Sequence, residues 1–239
     1  CGYTRPDGVR SPTYPVFAVR RNHQRIYNVV KARKPDGLID LHVSNCMNGL
    51  ALSYVTSYWV GEHMPAAAFK PDVLPLDRFR TEFMGANWGV PSDMLFYTMR
   101  DYRKCCALAV LHDVPVRVDN VTQLDLQSQL WELHDRYPYK QAEWLPYWRN
   151  DGCVKVSPEG CYASLYRHDH EGVLTFVSNL TREDGEVRAE LNLTKLGLTG
   201  EVSAEDALTG APLTMHEGVL KVNLASQDWV AALIRRAAQ

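Results

Sequence analysis

The sequence lacks several features that mark particular classes of protein. It has no run of about 20 consecutive apolar residues, the length that a membrane-spanning helix requires. Its charges nearly cancel, with 26 Lys and Arg against 28 Asp and Glu, so no basic surface is expected to attract nucleic acid or anionic lipid. We therefore expect neither a nucleic-acid partner nor a membrane, and the sequence leaves the compartment and the oligomeric state open.

The six cysteines lack the spacing of metal or redox motifs, because no CxxC pair and no Cys/His pattern occurs. We expect reduced structural thiols, and no metal or other cofactor is predicted. The 239 residues are 46% hydrophobic, which is enough to form a folded core. The chain starts at Cys1 and enters a polar loop at once, which we interpret as a truncated N-terminus. A lipid-bearing cysteine of a mature lipoprotein is the alternative.

Helical and strand patterns alternate over residues 1–149, which is typical of an α/β domain. Periodic apolar residues and short apolar runs predict helices over 14–33, 75–83, 99–108 and 126–137, and strands over 38–43, 52–60 and 110–114. These make only three or four β/α units, whereas a closed barrel needs eight in roughly 250 residues. We therefore predict a partial (β/α) barrel that consists of the C-terminal strands. A small open α/β sheet with an unpaired edge is the alternative.

The pattern changes near Asn150, where alternating apolar residues replace helical spacing and Gly or Asp-Gly pairs separate the runs. Short connections between the runs favour antiparallel pairing. The runs number about seven, as in a small β-sandwich: 154–156, 162–167, 173–179, 187–193, 201–204, 218–224 and 229–234. The predicted fold is thus α/β in residues 1–149, followed by an antiparallel β-sandwich accessory domain in residues 150–239.

Several segments resemble the C-terminal half of bacterial glycoside hydrolase 123-like proteins. They are PDGLIDLHVSN (35–45), LSYVTSYWVGEHM (52–64), LPLDRFRTEFMG (74–85), LHDVPVRV (111–118) and EWLPYWRNDGCVKVSPEGCYASLYR (143–167). The resemblance implies a glycosidase without naming the sugar. In characterised hexosaminidases of that group, an adjacent Asp-Glu pair supports a substrate-assisted mechanism. This sequence has instead the reversed pair Glu205-Asp206 in its β-rich part, so that mechanism is not assigned to residues here.

Three carboxylates stand at the expected ends of barrel strands, where catalytic side chains of such barrels are found: Asp40, Glu62 and Asp113. Glycoside hydrolysis commonly uses one carboxyl as acid and a second as base or nucleophile, so these three are the candidate catalytic residues. Each has a structural alternative. Asp40 is suited to bonding a helix terminus, Glu62 to capping the turn after Gly61, and Asp113 to pairing with Arg117.

Histidines and tryptophans near the same strand ends are the candidate substrate-binding residues, because a pyranose face packs well on an aromatic ring. They are His42, Trp59, His63, Trp88 and His112. Aromatic residues more often fill cores, and so do histidines whose ring nitrogens have protein partners. Asp40, His42, Glu62, His63, His112 and Asp113 also suggest a metal-dependent hydrolase, although their spacing matches no standard metal motif.

These features together predict a fragment of a glycoside hydrolase that hydrolyses O-glycosidic bonds by carboxylate acid/base chemistry, with a carbohydrate as its partner. Enzymatic activity is expected of the full-length protein, and the fragment alone is expected to hold only part of the active site. Two other functions stay open, namely a non-catalytic carbohydrate-binding protein and a metal-dependent barrel hydrolase.

Overall fold

A computed structural model describes residues 2–43, 49–62, 75–96, 101–117 and 123–237. Its helices are α1 (Val16–Arg33), α2 (Gly49–Leu52), α3 (Leu76–Glu82), α4 (Tyr102–Ala109) and α5 (Leu124–Arg136). Its strands are β1 (Gly2–Thr4), β2 (Arg10–Pro12), β3 (Asp40–His42), β4 (Ser57–Val60), β5 (Ser92–Leu95), β6 (Val116–Arg117), β7 (Glu143–Leu145), β8 (Val154–Ser157), β9 (Cys161–His168), β10 (Gly172–Asn179), β11 (Gly185–Leu191), β12 (Val202–Asp206), β13 (Met215–His216), β14 (Val219–Leu224) and β15 (Asp228–Arg236).

A parallel sheet lies in the first part of the chain, with the strand order β3-β4-β5-β6. Its register pairs Leu41 with Tyr58, Trp59 with Asp93, and Met94 with Val116. Helices α3 and α4 cover one face, on which Tyr58 and Met94 are buried together with Phe79 of α3. Because successive side chains of a strand alternate between faces, the neighbouring residues of these strands lie on the other face.

Two antiparallel sheets form the second part. One has the strand order β12-β15-β10-β9-β7 and the other β13-β14-β11-β8. Their apolar side chains share one core, to which Leu165 and Ile234 contribute from the first sheet and Val187 and Leu220 from the second. The alternation of β11 between exposed and buried residues, with Val187, Ala189 and Leu191 inside, is the pattern of a strand with one buried face.

The five-stranded antiparallel sheet also packs against the helices of the first part. Tyr166 of β9, Phe176 of β10 and Trp229 of β15 belong to the same core as α4 and α5. Trp229 is fully buried, and its indole N–H donates to the carbonyl oxygen of Arg103 in α4 at 2.9 Å. The edge strand β7 pairs with β9, so this sheet begins at Glu143.

Three sequence-based expectations in the first part need correction. The strand expected over 110–114 is wrong, because Val110–His112 continues α4 as a short 3₁₀ helix and the strand follows at Val116–Arg117. The strand expected over 52–60 is confined to Ser57–Val60, since Leu52 ends α2. Strand β5 was not expected at all.

The cysteines in the described residues agree with the expectation of structural thiols. Cys105, Cys106, Cys153 and Cys161 are free, and all but Cys153 are buried. Burial raises the pKa of the Cys106 thiol to about 12, so it is not a reactive thiolate at neutral pH. None of the described helices is long and apolar enough to cross a membrane.

Candidate active site

The face of the parallel sheet opposite α3 and α4 carries most of the polar side chains of its strands. We call it the open face and define it by Asp40, His42, Ser57, Trp59, Asp93 and Arg117, all of which are partly or well exposed to solvent. Asp40 and His42 share this face because they are two residues apart on β3. The strands run parallel, so the residues that follow them converge at one edge of the sheet.

A guanidinium group connects the two outer strands of the open face. Arg117 on β6 donates through Nη1 to Oδ2 of Asp40 on β3 at 3.0 Å and to Oδ2 of Asp93 at 3.3 Å. Its guanidinium carbon lies 4.5 Å from the centre of the Trp59 ring, a cation–π contact. The hydroxyl of Ser57 donates to Oδ1 of Asp40 at 2.9 Å. Asp40 is therefore held by two partners on neighbouring and distant strands.

Glu62 and His42 form an ion pair at the carboxyl ends of β3 and β4. The distance from His42 Nε2 to Glu62 Oε2 is 2.8 Å, and both side chains are about a third or more exposed. The His42 ring stacks on Trp59, with ring centres 3.6 Å apart and planes 4° from parallel. The histidine thus orients the carboxylate, and the indole fixes the histidine, in the way that hydrogen-bonded partners commonly orient catalytic groups.

Gly61 sets the position of Glu62. Its φ is +129°, which side-chain-bearing residues rarely adopt, and a Cβ atom here would overlap the carbonyl oxygen of Leu95 on β5. The close approach of the two strands therefore requires glycine. Glu62 does not merely cap the turn, since its carboxylate reaches back to His42 on the neighbouring strand.

Asp93 is the second carboxylate on the open face, beside Asp40, and it was not among the residues expected from the sequence. Burial and, secondarily, the charge of Asp40 raise its pKa, while the bond from Arg117 opposes this shift. The available signal was only the short run Ser92-Asp93-Met94-Leu95 after Pro91, which is too short and too irregular to indicate a strand. Asp40 and Asp93 share one guanidinium, and the raised pKa of Asp93 makes it easier to protonate than an ordinary aspartate.

The structure does not bring Asp113 together with Asp40 and Glu62. Asp113 lies in the turn before β6, with φ at 56°, and therefore at the end of the sheet opposite to the carboxyl ends of the strands. Its Oδ1 accepts a hydrogen bond from the Tyr166 hydroxyl at 2.6 Å, not from Arg117. The expectation that placed Asp113 at a strand's carboxyl end fails because the preceding segment is helical.

His112 lies in the core and not at a surface suited to substrate. It is 1% exposed, its Nδ1 donates to the Leu108 carbonyl at 2.8 Å, and its Nε2 lies 3.3 Å from the Tyr147 hydroxyl. Burial lowers its pKa to about 4, so it is neutral at pH 7. Both ring nitrogens have protein partners, and the ring also stacks on Trp148. His112 thus fits the alternative given for the histidines, that of a core residue whose ring nitrogens have protein partners.

Trp88 and His63 complete the set of predicted binding residues. Trp88 ends a short 3₁₀ helix, Gly85–Trp88, in the connection that leads into β5, and it is 43% exposed. It therefore lies at the amino ends of the strands, away from Glu62. His63 lies outside the described residues. Among the described residues, no three His, Cys, Asp or Glu side chains come together in a group that could hold a metal ion.

The region from α5 to the turn after β12 is similar to a known family. Residues 126–209 match the family model for the glycoside hydrolase 123 C-terminal domain. This match confirms the resemblance to the C-terminal portion of a glycoside hydrolase 123-like protein. No curated protein matches the sequence.

Solved glycoside hydrolases share the fold. The chain aligns over 92% of its length with Abp, a GH27 β-L-arabinopyranosidase from Geobacillus stearothermophilus, with a TM-score of 0.56 and 11% identity. It aligns over 93% with the maltogenic α-amylase AmyB from Thermotoga neapolitana (TM-score 0.53, 9% identity) and over 99% with AmyP in complex with maltotriose (0.53, 11%). It spans 54% of Abp, 59% of AmyB and 73% of AmyP. The likeness supports a glycosidase-like fold.

The reversed acidic pair of the glycoside hydrolase 123-like region has structural partners. Glu205 on β12 accepts a hydrogen bond from Arg235 at 3.3 Å, and Oδ1 of Asp206 accepts from the backbone N–H of Leu208 at 2.8 Å. Both residues lie on an edge strand of the antiparallel sheet. They are remote in sequence and topology from the open face and take no part in it.

Proposed function

We propose that this chain is the C-terminal part of a glycoside hydrolase that hydrolyses O-glycosidic bonds, with the open face as part of its active site. The observation that carries the proposal is the Glu62–His42 pair at the carboxyl ends of two parallel strands, beside the network of Asp40, Arg117 and Asp93. Catalytic residues of α/β barrels come from this end of several strands. The family match at 126–209 supports the class of enzyme.

In this proposal the open face is part of the inner wall of a barrel whose other strands belong to the full-length protein. Residues 1–149 form the C-terminal part of the barrel and residues 150–239 an accessory β-sandwich. Helices on one face of a parallel sheet are what a segment of barrel wall requires, because helices surround the barrel. The parallel order β3-β4-β5-β6 supports this arrangement.

The chemistry needs a carboxyl that protonates the leaving oxygen and a second that acts as base or nucleophile. Glu62 and Asp40 are the proposed pair, with His42 orienting Glu62 and Arg117 holding Asp40. Asp93 joins them as a further carboxyl of the same network. Trp59 provides the apolar surface on which the polar groups are arranged. The proposed partner is a carbohydrate, in keeping with neighbours solved with arabinose and maltotriose.

The test is hydrolysis of a panel of aryl glycosides by the full-length protein and by its Glu62→Gln variant. Glutamine keeps the shape and can still accept a bond from His42, but it cannot exchange a proton, so kcat is expected to fall by about 100-fold or more. Glu82→Gln is the matched control, because Glu82 is an exposed partner of Arg78 on α3. Wild-type turnover in Glu62→Gln would remove Glu62 from the mechanism.

A carbohydrate-binding protein without catalysis is the second candidate. It is favoured by the fact that Asp40 and Glu62 are each already paired within the protein. This candidate predicts saturable sugar binding without turnover of any aryl glycoside. A metal-dependent hydrolase predicts loss of activity on chelation, and the described residues offer it no group of ligands.

A further inference from the structure

A groove lined by three tryptophans lies outside the candidate active site. We call it the tryptophan groove and define it by Arg80, Asn87, Trp88, Trp144, Trp148 and Arg149. Its volume is about 680 Å³, within the range of roughly 300–1,000 Å³ typical of ligand pockets. Its walls come from α3, from the connection between α3 and β5, and from the segment at β7. The groove therefore lies between the helices of the parallel sheet and the antiparallel part.

The tryptophan groove and the open-face site lie at opposite ends of the parallel strands. Trp88 precedes β5, whereas Glu62 follows β4, and β4 and β5 run parallel. One small ligand therefore does not contact both. The groove's function is thus separate from the hydrolysis proposed for Glu62, and it needs its own explanation.

The three tryptophans of the groove differ in their contacts with other aromatic rings. Trp144 and Trp148 contact each other edge to face, with centres 5.5 Å apart. Trp88, in contrast, is 43% exposed and makes no ring contact with any other described residue. The flat apolar face of this exposed indole is complementary to the C–H face of a pyranose.

Two guanidinium groups give the groove a positive charge. Arg149 is exposed and forms no ion pair with any described residue. Arg80 lies over Trp148 at 5.2 Å, and its bond to Asp77 at 2.8 Å is an exposed pair of little strength. Arginine forks bind carboxylate and sulfate oxygens well, so the charge favours an anionic ligand.

Two further polar groups suit sugar hydroxyls. The Asn87 side-chain amide donates to the backbone carbonyl oxygen of Arg80 at 2.5 Å, which fixes the side chain and leaves its Oδ1 as an acceptor. The indole N–H of Trp144 has no acceptor among the described residues. A buried donor without a partner is costly, and this nitrogen has almost no solvent-accessible surface, so a ligand hydroxyl reaches it only if the Trp144 side chain moves.

We propose that the tryptophan groove binds an anionic carbohydrate, with one pyranose ring stacked on Trp88 and its carboxylate or sulfate group at Arg149 and Arg80. A neutral sugar would leave Arg149 without an anion and Arg80 with only its exposed pair to Asp77. The groove would hold acidic glycan chains next to the catalytic part of the protein, independently of hydrolysis at Glu62.

The experiment is calorimetric titration of the 239-residue chain with three oligosaccharides of similar length: an oligogalacturonate, a sulfated galactan and a neutral maltooligosaccharide. The two anionic probes distinguish carboxylate from sulfate. The variants are Trp88→Ala and Arg149→Ala. Their matched controls are Trp131→Ala, which removes an exposed tryptophan of α5, and Arg33→Ala, which removes an exposed arginine at the end of α1.

We expect saturable binding of at least one anionic probe that weakens as salt is added. Trp88→Ala and Arg149→Ala should each weaken it by about tenfold, the typical effect of truncating a binding anchor, whereas both control variants bind as wild type. Glu62→Gln in the same chain should also bind normally, so failure here is distinct from failure of the proposed hydrolysis. Equal binding of the neutral probe, absence of binding, or insensitivity to Trp88→Ala would overturn the proposal.

Discussion

Asp113 gives the sharpest test of the structure, because charge, backbone conformation and one hydrogen bond act on the same residue. It lies in a left-handed turn between α4 and β6, with φ at 56°. Its carboxylate accepts the Tyr166 hydroxyl at 2.6 Å and so connects the parallel sheet's turn to β9. Although Asp113 is exposed overall, loss of hydration of its carboxyl raises the pKa of Asp113, and the bond from Tyr166 and the nearby His134 only partly oppose this.

The Asp113→Asn variant removes the charge but keeps the left-handed backbone conformation and the hydrogen bond from Tyr166. Asparagine tolerates the left-handed conformation and can accept the same hydrogen bond, but it has no ionisation. With a raised pKa, the folded wild type keeps its proton at pH values where the unfolded chain has lost it. The stability that Asp113 contributes is therefore present at low pH and lost as pH rises through its folded-state pKa. The variant should therefore gain stability relative to wild type as pH rises above about 4, the ordinary pKa of an aspartate.

Asp113→Ala removes the hydrogen bond as well and places alanine in the left-handed region. The strained backbone costs about 1 kcal/mol or more. The lost bond adds about 1 kcal/mol, the value of an ordinary hydrogen bond, because Asp113 is exposed to solvent. The sum is about 2 kcal/mol, which corresponds to a fall in Tm of roughly 5 °C for a chain of this size.

Urea unfolding at several pH values measures the free energy of unfolding of each variant as a difference from wild type. It gives both the pH dependence expected for Asp113→Asn and the loss of stability expected for Asp113→Ala. Working with differences removes the contributions of titrating groups that do not interact with Asp113, such as His112, whereas the neighbouring His134 is coupled to Asp113 and contributes to the difference. An Asn variant as unstable as the Ala variant, or one whose stability relative to wild type does not change with pH, would refute the reasoning. Loss of glycosidase activity in a stable Asp113→Asn full-length protein would instead restore Asp113 as a catalytic residue.

Two further predictions concern residues beside the proposed sites. Because burial lowers the pKa of His112 to about 4 from 6.5, the folded state loses stability as pH falls through this interval, by up to about 3 kcal/mol. His112→Gln should lack that dependence in urea unfolding, and an unchanged pH profile would contradict the assignment. Gly61→Ala should destabilise the fold by about 2 kcal/mol or more and displace Glu62, because its Cβ meets Leu95. Normal stability and activity in that variant would disprove the close approach.

The antiparallel strands of the second part could be predicted well from the sequence. Each of the seven expected runs contains or overlaps a strand, for example 173–179 against Gly172–Asn179. Alternation with a period of two and glycine-containing turns are local signals, so they can be recognised in the sequence without knowing which strands pair. Only the short strands β7 and β13 escaped, because runs of three and two residues carry no period.

The parallel strands were harder to predict, since they are short and depend on tertiary contacts. Val110-Leu111-His112 is apolar enough for a buried strand, yet it continues the helix α4 and packs His112 between Phe79 and Trp148. A short apolar run does not distinguish a buried strand from a buried helix segment. The error moved Asp113 from before its strand to after it, and so made a structural carboxylate look catalytic.

The network of the open face was beyond prediction because it depends on register. Arg117 meets Asp40 only when β3, β4, β5 and β6 pair in parallel with Trp59 beside Asp93, and these residues are separated by up to 77 positions. The His42–Glu62 pair was closer to prediction, since both residues stand at the carboxyl ends of adjacent strands. Proximity in sequence was a poorer guide to the site than position at the ends of the strands. Glu62 and Trp88 looked like parts of one binding site, but a residue that precedes a parallel strand and one that follows its neighbour lie at opposite ends of the sheet, so two sites are needed to account for both.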